Sequence, residues 1–179
     1  MRIKLGFYGA AGNVTGSRYL LQTDGRNILI DCGMFQEHDL KDRNWGKWPL
    51  PPAKIHAVLL THAHVDHCGL LPKLVHDGFS GPIYCTSATA DIAKIVLADS
   101  AKINAEDAEF KKRRHAREGR KGRHPEIPLY SLEDVKRTVK LFKEWNLKGP
   151  LDLGGGLQAE FIEVGHILGA SSIRITVSV

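Results

Sequence analysis

The segment Thr61-His-Ala-His-Val-Asp-His-Cys68 places three imidazoles and a carboxylate within six consecutive positions, His62, His64, Asp66 and His67. These side chains ligate metals. In an extended segment residues two apart project to the same side, so His62 and His64 can grip one ion, and a turn after them would send Asp66 and His67 toward a second. Imidazole with carboxylate suits Zn²⁺ ahead of Mn²⁺ or Fe²⁺. The apolar residues on both sides draw these histidines toward a core, where unpaired polar groups are costly, so a metal site is favoured over a histidine-rich surface loop. His38, His56, His76, His115 and His124 each stand alone in polar surroundings and are assigned no role.

The elements that must present these groups follow from hydrophobic patterning. Ile3–Tyr8, Ser17–Thr23 and Asn27–Asp31 read as strands of a meander, separated by the glycine-rich GAAGNVTG and by Asp24-Gly25. Ala57–Thr61 is a strand leading directly into the histidines, Gly69–His76 gives one or two helical turns, and Pro82–Thr86 is a further strand. Ser87 is expected to cap a long helix reaching Phe110. Ser131-Leu-Glu-Asp134 has the form of a capping box, with Leu132, Val135, Val139 and Phe142 at helical spacing, so a third helix is expected to about Trp145. Two strands, Ala159–Val164 and Ser172–Val179, flank a Gly-His-Ile-Leu-Gly turn. Strands first and mixed strands and helices afterwards imply a layered α/β (α+β) fold, a mixed sheet with helices outside.

Composition excludes several classes. With 179 residues and 42% hydrophobic content the chain can bury a core of its own. Three cysteines, Cys32, Cys68 and Cys85, write neither a disulfide framework nor a zinc ribbon, and point to a reducing, cytoplasmic setting. No window has the length of a signal-peptide core or of a membrane span. The net charge of +5 is concentrated: Lys111–Arg123 holds eight Lys/Arg against one Glu, a local +7 that leaves −2 for everything else. Such a run is either a solvated loop or a set of phosphate contacts whose affinity falls steeply with salt. The glycine-rich opening lacks GxGxxG spacing and a Gly-Lys-Ser/Thr ending, so it reads as a tight loop at the edge of the metal site and not as a nucleotide cradle.

The pattern His-x-His-x-Asp-His resembles the second motif of the metallo-β-lactamase superfamily. Asp31, before Cys32-Gly33, matches the first motif, and His166, in Val-Gly-His-Ile-Leu-Gly-Ala-Ser, matches the third. The opening Gly9–Ser17, Asp31–Gln36, Asp99-Ser100 with Glu106-Asp107-Ala108, and Pro128-Leu-Tyr130 are similar to the β-CASP group of RNA-processing nucleases. The resemblance implies the N-terminal portion of an αββα sandwich. It also implies that His62, His64 and His166 hold a first zinc and that Asp66 and His67 hold a second. Asp31 would stand behind the ligands and fix their orientation. Asp66 and His67 would be the catalytic pair, attack being in line on the phosphorus of single-stranded RNA or another phosphodiester. The basic run would lie near the cleft entrance, with Arg113, Arg114 and Arg117 on nucleic acid.

In that group a fourth motif, an aspartate bridging both metals, and then the β-CASP insert follow the third motif; Ser172–Val179 contains no carboxylate. Residues 1–179 are therefore expected to be a partial metallo-β-lactamase domain without the insert or the C-terminal half, holding one zinc well and the second weakly. An exposed sheet face is expected with it. Two other functions fit the same ligands. One is a small-molecule ester or thioester hydrolase; the other is a non-catalytic fragment completed by a partner chain or oligomer. No membrane association is expected.

Overall fold

The computed structural model describes residues 2–122, 124, 126–145 and 149–178. Arg123, at the end of the basic run, and Val179, at the end of the last expected strand, lie outside them. The opening meander is present as β1 (Lys4–Gly9), β2 (Arg18–Gln22) and β3 (Asn27–Ile30), antiparallel throughout. β4 (Ala57–Leu59), β5 (Ile83–Cys85) and β6 (Phe142–Glu144) extend the same sheet in parallel, in the order β1-β2-β3-β4-β5-β6. A second, three-stranded antiparallel sheet consists of β7 (Leu151–Gly154), β8 (Leu157–Glu163) and β9 (Ser171–Val177). The helices are α1 (Val65–Cys68), α2 (Leu71–His76), α3 (Ser87–Glu118) and α4 (Leu132–Val139).

Because successive strand residues face opposite ways, the large sheet supplies two cores at once. Leu29, Val58 and Ile83 face the helices with Leu74, Leu97 and Val135. Ile28, Ala57 and Leu59 face the small sheet, against Leu157, Ala159 and Phe161. The layers are helix, sheet, sheet, and β4, buried at all three positions, lies between both cores. Leu5 and Phe7 on the edge strand β1 remain 49% and 61% exposed.

Three sequence expectations are corrected. The long helix does not stop at Phe110: it is capped by Thr86 in place of Ser87, and it runs to Glu118 with Gly119 left-handed at φ +64°. Lys111–Glu118 is therefore helix and not loop, since Lys, Arg, Ala and Glu are good helix formers whatever their charge. The capping box at Ser131 and Asp134 is present, but α4 ends at Val139. Phe142 instead pairs with Ile83 as strand, the sheet edge overriding the helical spacing. The strands expected in the second half of the chain are only Ala159–Val164 and Ser172–Val179, but the glycines at 154–156, all left-handed, turn a further strand, β7, back into β8. All three cysteines are buried free thiols, and burial pushes Cys32 and Cys85 up to about 12. Among the described residues no helix is long and apolar enough to cross a membrane.

Candidate metal centre

β3, β4 and β5 are parallel, so their C-terminal ends open on one side of the sheet, where loops can converge without disturbing the ladder. Asp31 leaves β3, Thr61 and the histidines leave β4, and Thr86 leaves β5. The chain past Leu59 stays extended to His64 (φ −67°, ψ 146°) and then turns into α1, which carries Asp66 and His67. His166 arrives from the loop between β8 and β9.

His62, His64 and His166 converge, each offering one ring nitrogen, all within 4.8 Å of one another. His62 Nε2 and His166 Nε2 lie 3.1 and 3.2 Å from His64 Nδ1. Three nitrogens ligating one tetrahedral zinc at ~2.0–2.1 Å stand about 3.3–3.4 Å apart, so the donor set fits a single ion. The rings also meet nearly edge to face, at 79°, 83° and 82°, as ligands radiating from one point do. His62 is buried, and that burial, with the neighbouring His67, lowers its pKa to about 4, which favours the neutral, ligating imidazole. The Thr61 hydroxyl sits 3.0 Å from His62 Nδ1 and orients the ring.

Asp66 and His67 stand beside this cluster, not within it. His67 Nε2 is 3.6 Å from Asp66 Oδ2, and its ring is 3.9 Å from that of His62, centroid to centroid. Asp31 is 1% exposed and has a left-handed backbone at φ +56°, a conformation that non-glycine residues seldom adopt. Its carboxylate accepts from the Thr61 amide at 2.8 Å, the Thr61 hydroxyl at 3.0 Å, the Ser17 hydroxyl at 3.1 Å and His67 Nδ1 at 2.7 Å. With Nδ1 engaged, Nε2 of His67 is turned toward Asp66. Burial of His67 opposes its charged form, but the hydrogen bond to Asp31 and the charges of Asp31 and Asp66 outweigh it and raise the pKa.

Sequence reasoning missed the residues that hold this frame. Ser17 bonds Asp31, and its amide donates to the Asp66 carbonyl at 2.8 Å, which ties the start of β2 to α1. Thr15, in the glycine-rich loop, is bound to Glu37 through its amide and hydroxyl, and these contacts hold the Glu37 carboxyl down at about 2. Hydroxyls and backbone amides have no distinctive spacing, and the one signal for Thr15 and Ser17 is their place in the glycine-rich opening, which reads as a loop at the edge of the metal site. Of the histidines given no role, His38 is exposed, but others are paired: His115 with Glu126 at 2.5 Å, His76 with Asp134 at 3.2 Å, and His124 with Asp42 at 2.7 Å while stacked on Trp45.

Arg113, Arg114 and Arg117 project from the last turns of α3, exposed to solvent. Arg114 and Arg120 both bond Glu118, whose carboxyl they lower to about 2. A groove of ≈ 1080 Å³ lies between the Met34–Trp45 segment and α3, from Val65 beside the histidines to Lys111. Asp39, Asp42, Asp99 and Asp107 line it with Lys41 and Lys111, so it is not uniformly basic.

The chain is 36% identical over 171 residues to ribonuclease TTHA0252 of Thermus thermophilus, covering 93% of this chain and 33% of that protein. It is 30% identical to the transcription termination factor FttA of Methanocaldococcus jannaschii, over 94% of this chain and 24% of the factor. Against Integrator complex subunit 11 of Danio rerio the identity is 29%, over 98% and 28%. The chain thus spans a third or less of the length of these relatives. Its fold is shared with the metallo-beta-lactamase fold protein YhfI of Bacillus subtilis, with a TM-score of 0.54 at 21% identity over 97% of this chain and 57% of that one. The profile of the Metallo-beta-lactamase superfamily matches residues 11–166, from the glycine-rich loop to the third converging histidine. A match of that extent, over most of the chain and ending on a histidine of the converging group, fixes its parentage: the chain belongs to the metallo-β-lactamase superfamily.

Proposed function

We propose that this chain carries the metal centre of a zinc-dependent phosphodiester hydrolase, an RNA-processing nuclease of the β-CASP type acting on single-stranded RNA. The observation that carries the proposal is the convergence of His62, His64 and His166 on one point. The 36% identity to a protein named as a ribonuclease supports the choice of substrate. Zinc held there supplies Lewis-acid polarisation of a phosphoryl oxygen and a water of lowered pKa. Asp66 and His67, 3.6 Å apart, form the pair that orients the attacking water and takes up its proton. Asp31 holds His67 for that task through Nδ1. Arg113, Arg114 and Arg117 meet the phosphate backbone away from the reacting bond.

We read residues 1–179 as part of a larger metallo-β-lactamase domain, one zinc being held firmly by the three histidines and a second weakly by Asp66 and His67. A completing stretch or partner chain would add the ligands of that second ion. Three buried free thiols fit a cytoplasmic location. The test is incubation of the zinc-loaded chain with end-labelled single-stranded RNA and, separately, with a thioester. Metal-dependent RNA cleavage that disappears in His64→Ala is expected; thioester hydrolysis with the RNA untouched would replace the proposal. Two tightly held zinc equivalents by metal analysis would overturn the unequal ranking of the two sites.

A further inference from the structure

We propose that Thr86 and Thr89, at the start of α3, are positioning residues for His166: their hydroxyls clasp the Gly169 carbonyl and so set the third ligand of the metal centre. The inference rests on the reading of His166 as a ligand. His166 sits on a loop where Leu168 is 74% and Val164 40% exposed, and whose one fully buried apolar residue is the small Ala170, at 2%. Its own backbone bonds, His166 amide to Val164 carbonyl and Ala170 amide to Ile167 carbonyl, close the turn on itself but do not place it on the body of the protein. Two attachments do that. The Ser171 amide donates to the Thr61 carbonyl at 3.0 Å, which ties the loop's exit to the residue before His62. On the other side the Gly169 carbonyl accepts from Thr86 Oγ1 at 2.7 Å and from Thr89 Oγ1 at 2.9 Å.

The two hydroxyls stand 3.0 Å from each other, and each lies within donating distance of the Gly169 carbonyl. A threonine inside a helix ordinarily returns its hydroxyl to the carbonyl three or four residues back. The Thr89 hydroxyl instead reaches across to the Gly169 carbonyl at 2.9 Å. Thr89 is fully buried and Thr86 nearly so, where an unbonded hydroxyl is costly. Thr86 does two jobs, since its oxygen also accepts the Thr89 amide as the helix cap. From the loop's side, Gly169 is left-handed at φ +81°, and a Cβ there would come within 2.6 Å of the Thr89 amide nitrogen and 2.7 Å of Thr86 Oγ1. The approach is therefore one that only glycine makes without displacing the loop.

The test is zinc affinity of the chain, by competition with a chromophoric chelator. Thr89→Val keeps the shape, the helix cap and one donor to Gly169, so the metal-free protein should keep its circular dichroism and thermal midpoint. Its zinc dissociation constant should rise about tenfold, the scale on which groups behind the ligands tune affinity. Thr89→Ser should restore it. Gly169→Ala, acting on the same contact from the other side, should weaken zinc at least as much. In a His166→Ala background Thr89→Val should have no further effect, because a residue acting through His166 is silent once that ring is gone. Wild-type affinity in Thr89→Val, failure of the serine to rescue, or an undiminished effect without His166 would each overturn the clasp. An unchanged affinity in His166→Ala alone would instead overturn the ligand reading beneath it.

Discussion

The two ends of α3 are parts of one continuous helix and have little else in common. Its first half buries Ala90, Ala93, Leu97 and Ala101 against the sheet, and its cap reaches the loop that carries His166. Beyond Ala101 the one buried residue is Ala108, and the helix ends in exposed Lys and Arg. The near end gains its order from packing and serves a site that demands fixed distances. The far end is held by helix propensity, by the part-buried His115–Glu126 contact and by surface pairs such as Arg114–Glu118, enough for an electrostatic surface, where no single distance matters.

The largest expected contrast lies in metal binding. His64→Ala removes the nitrogen that His62 Nε2 and His166 Nε2 both approach, at 3.1 and 3.2 Å, and should take bound zinc to background by elemental analysis. Replacing Arg113, Arg114 and Arg117 together by Ala should leave zinc content unchanged. Loss of metal in the triple variant would show that the two ends are coupled.

Stability sharpens the same contrast on a smaller scale. Leu97 is fully buried, and Leu97→Ala should cost about 3 kcal/mol in denaturant unfolding, the usual penalty for a cavity in a packed core. Phe110 is 61% exposed, and Phe110→Ala should cost less than about 0.5 kcal/mol despite the larger side chain. Equal losses would mean that the far half of α3 is packed against a surface that the monomer does not offer.

The contrast also separates what a sequence makes legible from what it does not. The meander, the strand into the histidines and the Ser131 cap could be read because alternation, apolar runs and capping spacing are local patterns. At the far end of α3 the charge density points to a solvated loop, and only Gly119, a ready helix stop, hints at the helix that is there. β6 is three residues long, too short for any periodicity, and exists because β5 offers it an edge. His62, Asp66 and His67 stand within one short segment, whereas His166 lies 102 residues from His64 and is linked to it only by motif order. The clasp of Thr86 and Thr89 on Gly169 spans 83 and 80 residues and ends on a backbone carbonyl, which leaves no trace in residue type.

RNA binding should divide the ends in the opposite sense. Each phosphate contact to a single strand contributes about 0.7 to the slope of log affinity against log salt, so the triple arginine variant should flatten that slope by about 2 if all three touch RNA. Fluorescence anisotropy over a salt series reads it directly. His64→Ala should weaken cleavage and leave the slope nearly unchanged. An unaltered slope in the triple variant would return the basic run to a solvated surface.

The smallest effect concerns Glu118, which sits among these cations and shares its two oxygens between Arg114 and Arg120. Those two guanidiniums hold its carboxyl at about 2, below the usual carboxylate range, so it stays ionised, and keeps offsetting one of the positive charges, at every pH from about 4 upward. Glu118→Gln removes that offset and releases both arginines toward solvent. Affinity for single-stranded RNA should then rise about twofold to fivefold at moderate salt, with a slope steeper by up to ~0.7, the worth of one added contact. Because the depressed pKa keeps wild-type Glu118 charged at both pH 5 and pH 8, the gain should be the same at the two values. A gain present at pH 8 and absent at pH 5 would mean that Glu118 is already protonated at the lower pH and that the arginine pairing seen at this end of the helix does not hold it. No gain at either pH would place Arg114 and Arg120 off the RNA path and leave Arg113 and Arg117 to account for the slope.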